Sequence, residues 1–137
     1  MVNDILDQTD YYKTKKLKKV SKQELYSKAD IITIHTPLTE ETVNLIRKDT
    51  IAMMKPSTIV INTARGEIVN LKDLKEALKS GDIGGAALDV YDTEPPTDKE
   101  LIQIPNLMNT PHIGGNAHEA VIAMGDAAIE NIEQGFL

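Results

Sequence analysis

Thr58-Ile-Val-Ile-Asn-Thr-Ala-Arg-Gly66 holds the clearest strand signal in the chain. Ile59 to Asn62 carries no charge, is almost wholly apolar and lacks helical spacing. An uninterrupted apolar run this short, bounded by turn formers, reads as a strand buried on both faces. Pro56 and Ser57 on one side and Gly66 on the other hold it to strand length. Arg65 follows three residues past the strand, where a polar side chain can project into a cleft.

Similar runs alternate with helical patterns on either side. Val2 to Leu6 is a short strand candidate, and Gln8 to Lys19 is a polar, exposed connection. Ser21 with Glu24 forms a capping box for a short helix. Asp30 to Ile34 is a second β-rich run, after which Thr39 starts a helix through Leu45-Ile46 and a further helical turn covers Lys48 to Met54. Asn70 caps a helix over Leu71 to Ser80, with Leu71, Leu74, Ala77 and Leu78 on one face and Gly81 at its C-terminal stop. Gly84 to Val90 is another strand, Lys99 to Gln103 a short helical piece, and Asn106 to Asn109 the last strand. A closing helix runs from Ala117 to Gln134, with Asn116 as its cap and Glu119 as the capping-box carboxylate. Short strands alternating with helices imply an α/β fold: right-handed crossovers and a parallel sheet with helices on both faces.

Composition narrows the function. The chain has 137 residues, enough for one domain with a hydrophobic core. Its net charge of −6 argues against nucleic acid as the main partner. Lys13, Lys15, Lys16, Lys18 and Lys19 are interspersed with no partner motif and read as a solvated surface. No run is long and apolar enough for a membrane span, and Met1 is followed by Val-Asn-Asp rather than a basic region and an apolar run. Cysteine is absent, which removes disulfides, thiol nucleophiles and thiolate metal sites. A cytoplasmic protein is the expectation. The apolar start and the Gly-Phe-Leu end suggest a piece of something longer.

Open parallel sheets bind ligands outside the carboxyl ends of their strands. That rule picks out Arg65, Asp89 at the end of the following strand, Glu94 five residues beyond it, and His112 after the last strand. Singly each has a bland reading: a surface arginine, a solvated turn, a histidine packed at a helix end. His35 could be a cleft wall and His118 a surface residue. As a set they make chemical sense. An arginine fork holds a carboxylate at any working pH, and a histidine beside a carboxylate can trade a proton near neutrality. Three dispersed histidines without ligand spacing give no metal site.

Ile61-Asn-Thr-Ala-Arg-Gly-Glu-Ile-Val69, Gly85-Ala-Ala-Leu-Asp-Val-Tyr-Asp-Thr-Glu-Pro-Pro96 and Thr110-Pro-His-Ile-Gly-Gly115, in this order and spacing, resemble the NAD-dependent D-isomer-specific 2-hydroxyacid dehydrogenases. The likeness runs from about residue 20 to the end and is loosely nearest the D-3-phosphoglycerate dehydrogenase branch. It implies NAD as cofactor and a small 2-oxoacid or 2-hydroxyacid as substrate. Arg65 would bind the substrate carboxylate, His112 would be the acid–base, and Glu94 would pair with His112. Asp89 would contact the nicotinamide carboxamide, and His35, Thr36 and Pro37 would line the adenosine side. Thr63, Ala64, Gly114 and Gly115 fall at further cofactor-lining positions. Asp4, with Asp7 as a rival, matches the residue that holds the adenosine ribose. Glu94 argues against the formate dehydrogenases, which carry glutamine there. Asn116 departs from the more usual serine.

The larger departure is that no Gly-x-Gly-x-x-Gly occurs in the chain. The resemblance therefore implies a partial NAD-binding domain over residues 1–137. It is a Rossmann-like fold lacking its first strand and Gly-rich loop, with the substrate domain absent. The segment Val2 to Leu6 should then be displaced, disordered or paired with another chain, and a homodimer or a missing-domain partner is expected. Three functions compete: the catalytic part of a dehydrogenase inactive alone, a non-catalytic dehydrogenase-like binding or regulatory module, and an inert fragment.

Overall fold

The computed structural model describes residues 1–135. Phe136 and Leu137, the last two residues of the apolar chain end, lie outside the described residues. The elements run α1 (Thr9–Thr14), α2 (Lys22–Lys28), β1 (Ile31–Ile34), α3 (Lys48–Ile51), β2 (Ile59–Asn62), α4 (Leu71–Ser80), β3 (Gly85–Leu88), α5 (Lys99–Ile102), β4 (Leu107–Asn109) and α6 (His118–Gly135). The four strands lie parallel in chain order, β1-β2-β3-β4, a Rossmann-like arrangement.

The register sets one face of the sheet. Ile32, Val60, Ala86 and Leu107 form one row across the strands, and Ile34, Asn62, Leu88 and Asn109 form the next. Onto these rows pack Tyr26 of α2, Ile51 of α3, Leu74, Ala77 and Leu78 of α4, and Leu101 of α5, all in one apolar cluster. Helix α4 shows why such a short element forms. Asn70 accepts from the Asp73 N–H at 3.1 Å, and Leu74, Ala77 and Leu78 recur at helical spacing. Gly81 ends the helix at φ +80°, a conformation open to glycine without a Cβ penalty. Ser21 caps α2 by accepting from Glu24 N–H at 3.1 Å. The Glu24 carboxylate pairs with Lys18 and Lys28 instead of returning to the cap, so only half the capping box forms.

Five expectations are corrected. Strand β2 is buried on one face only: Ile31 and Ile59 are 59% and 40% exposed on the other, beside Met108 of β4 at 68%. A strand apolar on both sides implies two covers, and among the described residues only one is in place. The helix expected from Thr39 to Ile46 is a set of turns. Asn44 sits at φ +51° and donates to Glu67 O, while Ile46 bridges to Val69, so pairing with the chain after β2 overrides local propensity. The connection over 8–19 contains α1, whose Tyr12 is buried. The strand over Val2 to Leu6 reduces to one parallel bridge, Val2 with Lys19, closed by two 2.9 Å bonds within the same chain. Beyond it Asn3 Nδ2 donates to Val20 O at 2.8 Å and Lys19 Nζ to Leu6 O at 3.1 Å, while Ile5 is 94% exposed. Helix α6 begins at His118, two residues past Asn116, so that side chain does not stand at the cap position. None of its described residues is buried. No helix among the described residues is long and apolar enough to cross a membrane.

The core and the N-terminal segment should respond differently to truncation. Leu74→Ala empties a fully buried site and is expected to cost about 2–5 kcal/mol in urea unfolding. Ile5→Ala is expected to change stability by less than about 0.5 kcal/mol.

Candidate active site at the strand ends

The turn that carries Arg65 is built by the residue ending β2. Asn62 is fully buried, and a buried amide needs partners on both its ends. Its Nδ2 donates to Arg65 O at 2.8 Å and its Oδ1 accepts from Ala64 N–H at 3.0 Å. One side chain thus closes the Thr63-Ala64-Arg65 turn and leaves the arginine exposed. The guanidinium Nη1 donates to Ala64 O at 2.7 Å. Gly66 then lies flat against the next strand's extension. A Cβ there would stand 1.9 Å from the Tyr91 carbonyl carbon, so no other residue fits without moving backbone.

Asp89 follows β3 and is buried at 7% exposure. Its Oδ1 accepts from Thr110 Oγ1 at 2.6 Å and from Ile113 N–H at 2.9 Å, and its Oδ2 accepts from Gly114 N–H at 2.8 Å. The Thr110 hydroxyl is the main cause that holds this carboxyl below its ordinary value. Burial opposes it, and the Ile113 and Gly114 amides support it. Asp89 therefore grips the loop on both sides of His112. That grip offsets a cost, because His112 sits at φ +55°, a region non-glycine residues rarely occupy. Gly114 fits because a Cβ would come 2.9 Å from Asp89 Oδ2, whereas nothing crowds Gly115.

Glu94 and His112 meet directly. Glu94 Oε2 lies 2.8 Å from His112 Nδ1, and Glu94 Oε1 accepts from Tyr91 N–H at 3.0 Å. An ionised carboxylate only accepts, so Nδ1 carries the proton and Nε2 is the nitrogen left to exchange one. The hydrogen bond to His112, followed by that from Tyr91, holds the Glu94 carboxyl below its ordinary value.

The other candidates lie outside this hydrogen-bonded group. His35 Nε2 bonds Thr33 Oγ1 at 2.8 Å, and Pro37 O accepts from Thr42 Oγ1 at 2.8 Å. Thr36 holds a buried hydroxyl with no partner among the described residues. Asp4 accepts from Leu6 N–H at 2.9 Å and Gln8 Nε2 at 3.2 Å. Its rival Asp7 accepts from both the Thr9 hydroxyl and the Thr9 N–H. Sequence reasoning did not single out Asn62, Tyr91 or Thr110. Asn62 left a signal, a polar residue inside an apolar run; Tyr91 and Thr110 left none, because their partners are distant in sequence.

The sequence model of the family described as "D-isomer specific 2-hydroxyacid dehydrogenase, NAD binding domain" matches residues 1–114. The chain belongs to this family. The match includes the first twenty residues, beyond the reach of the motifs, and stops just before α6. The chain is 45% identical over 112 residues to D-3-phosphoglycerate dehydrogenase of Bacillus subtilis, covering 82% of this chain and 21% of that protein. It is 42% identical over 108 residues to glyoxylate reductase of Thermococcus litoralis, covering 79% of this chain and 33% of that protein. A solved structure of an NAD-complexed D-isomer specific 2-hydroxyacid dehydrogenase from Lactobacillus delbrueckii ssp. bulgaricus superposes with a TM-score of 0.82. It is 29% identical and covers 94% of this chain and 43% of that one. The chain thus spans about a fifth to a third of the length of these two relatives.

The residues present fit the family's cofactor on one observation of this structure. The unpartnered Thr36 hydroxyl stands just past β1, on the sheet edge where a parallel α/β fold receives a ligand.

Asp89→Asn would set an amide NH2 against a backbone N–H, that of Gly114 or that of Ile113. The folded Asp89 pKa is depressed, so its contribution to stability is complete above the unfolded value near ~3.9 and is lost as pH falls through the folded value. Urea unfolding at several pH values should therefore show wild type and variant furthest apart near neutrality and converging below about pH 4.

Proposed function

We propose that the chain is the cofactor-side part of an NAD-dependent oxidoreductase acting on D-2-hydroxyacids and 2-oxoacids, loosely nearest D-3-phosphoglycerate dehydrogenase. The observation that carries this reading is the 2.8 Å pair between Glu94 Oε2 and His112 Nδ1. It fixes the imidazole tautomer and leaves Nε2 as the proton-exchanging atom, the geometry that acid–base work at a carbonyl requires. Arg65 supports it, since an exposed guanidinium on the turn after β2 can hold a substrate carboxylate bidentately.

Each residue then has a role. Arg65 grips the carboxylate and polarises the neighbouring carbonyl. His112 delivers a proton from Nε2 to the 2-oxo oxygen during reduction and removes it during oxidation. Glu94 keeps the ring oriented through its bond to Nδ1. Asp89 meets the carboxamide of the nicotinamide while its other bonds hold the His112 loop. Thr36, with His35 and Pro37, lines the adenosine side, Asp4 takes the ribose, and Thr63, Ala64, Gly114 and Gly115 complete the cofactor wall. NAD, when bound, supplies or accepts the hydride.

Residues 1–137 form part of the NAD-binding domain in this reading, and the substrate domain is not among them. The bare sheet face around Ile31, Ile59 and Met108, with the apolar residues of α6, supports a partner: a second copy or a substrate domain. A cytoplasmic location completes this reading.

Without a glycine-rich pyrophosphate loop, the 137-residue chain is expected to bind NADH weakly and to show no turnover alone. NADH absorbance followed with a panel of 2-oxoacids checks turnover, and robust oxidation would show that the chain is complete as an enzyme. Amide NMR spectra recorded while NADH is added should shift the Thr36 and Asp89 signals. A spectrum unmoved at millimolar NADH would overturn cofactor binding by this chain.

A further inference from the structure

Tyr91 contacts three segments around the candidate site, each through a different atom. Its carbonyl carbon is the surface against which Gly66 packs, next to Arg65. Its N–H donates to Glu94 Oε1 at 3.0 Å, fixing the carboxylate whose other oxygen holds His112. Its hydroxyl donates to Oδ1 of Asn109, the last residue of β4 and three residues before His112. Asn109 is itself anchored, since its Nδ2 donates to Ile102 O at 3.0 Å at the end of α5. The ring is buried, at 6% exposure.

Two of these contacts come from the backbone and need no particular side chain. The phenol hydroxyl is different, because a phenylalanine would fill the same space without it. A buried hydroxyl contributes only if it is bonded, and this one is spent on joining the Glu94 segment to the strand that carries His112. Asp89 grips the same loop, but beyond and before the histidine through Ile113, Gly114 and Thr110, and from the other side of Val90. The two segments are therefore joined at two levels: by the Asp89 carboxylate, and by a neutral clasp from Tyr91 to Asn109.

We propose that Tyr91, through its hydroxyl bond to Asn109, is a positioning residue that holds Glu94 and His112 at bonding distance. The proposal deepens the dehydrogenase reading and rests on it for the use to which His112 is put. Burial pushes the Tyr91 phenol pKa up, with the Asp89 charge adding to it, so the hydroxyl keeps its proton and donates across the working pH range. The clasp works in the absence of substrate, because every atom in it belongs to the folded chain.

The test reads the ring of His112 directly. Long-range 1H–15N correlation spectra of the 137-residue chain, recorded where the imidazole is neutral, distinguish a proton on Nδ1 from one on Nε2. Wild type should show the Nδ1–H tautomer. Tyr91→Phe removes only the hydroxyl and should shift His112 toward a mixture of tautomers, with His35 and His118 unchanged as internal references. Asn109→Ser shortens the acceptor and should give the same shift. The double variant should go no further than Asn109→Ser alone, which already removes this bond together with the one to Ile102 O. Circular dichroism verifies the fold, and Asn109→Ser reads the same bond should Tyr91→Phe be unstable. An unchanged His112 signature in a folded single variant would overturn the proposal, as would additive effects in the double variant. Neither cofactor nor substrate enters this measurement, so a failed dehydrogenase assignment would leave its outcome intact.

Discussion

A buried carboxylate at the end of β3 sets the geometry of the whole strand-end region. Asp89 has two oxygens and meets three donors: the Thr110 hydroxyl and the N–H groups of Ile113 and Gly114. These bonds replace the water lost on burial, and they all come from the chain that follows β4. A charge so placed accepts one loop path and rejects others. It keeps His112 in a left-handed conformation that a histidine alone would not choose, and it requires a residue without Cβ at Gly114. The position of His112 follows from that grip.

The same logic runs outward from the neighbouring strands. Asn62 is a polar residue in the fully buried part of β2, and its amide folds the next three residues into the turn that exposes Arg65. Gly66 brings that turn against Tyr91, and Tyr91 binds Glu94. Parallel strands in register place these turns side by side at one edge. The sheet contributes alignment, and three buried polar groups (Asn62, Asp89 and Tyr91) convert alignment into a defined set of side-chain positions. Rigid secondary structure supporting short, fully bonded loops is how catalytic groups are kept within fractions of an ångström of one another.

Much of this was legible in the sequence, for identifiable reasons. The runs Asp30–Ile34, Ile59–Asn62, Gly84–Val90 and Asn106–Asn109 gave four strands because apolar period and turn residues agreed. The α4 helix was marked at both ends, by Asn70 and Gly81. The Glu94–His112 pair was implied by the family resemblance rather than by spacing, and the structure sets the two groups 2.8 Å apart. What was hidden depended on distant partners. The turns over 39–46 gave up helical form because Asn44 and Ile46 found backbone partners at Glu67 and Ile68. Val2 found Lys18 and Val20 within its own chain. The one-sided burial of β2 was invisible, because an apolar strand looks the same whether or not its second cover is present. The roles of Thr110 and Tyr91 lie in bonds to Asp89 and Asn109, 21 and 18 residues away.

The central claim is that Glu94 and His112 act as one hydrogen-bonded unit fixed by the fold. Carbon-13 NMR of the Glu94 side-chain carboxyl, titrated in wild type and in His112→Gln, tests it most directly. Loss of the imidazole removes the largest cause of the depressed Glu94 pKa. The Glu94 titration should therefore lie below the ordinary carboxylate value in wild type and move up toward it in the variant. Superimposable titration curves in the two proteins would contradict the account.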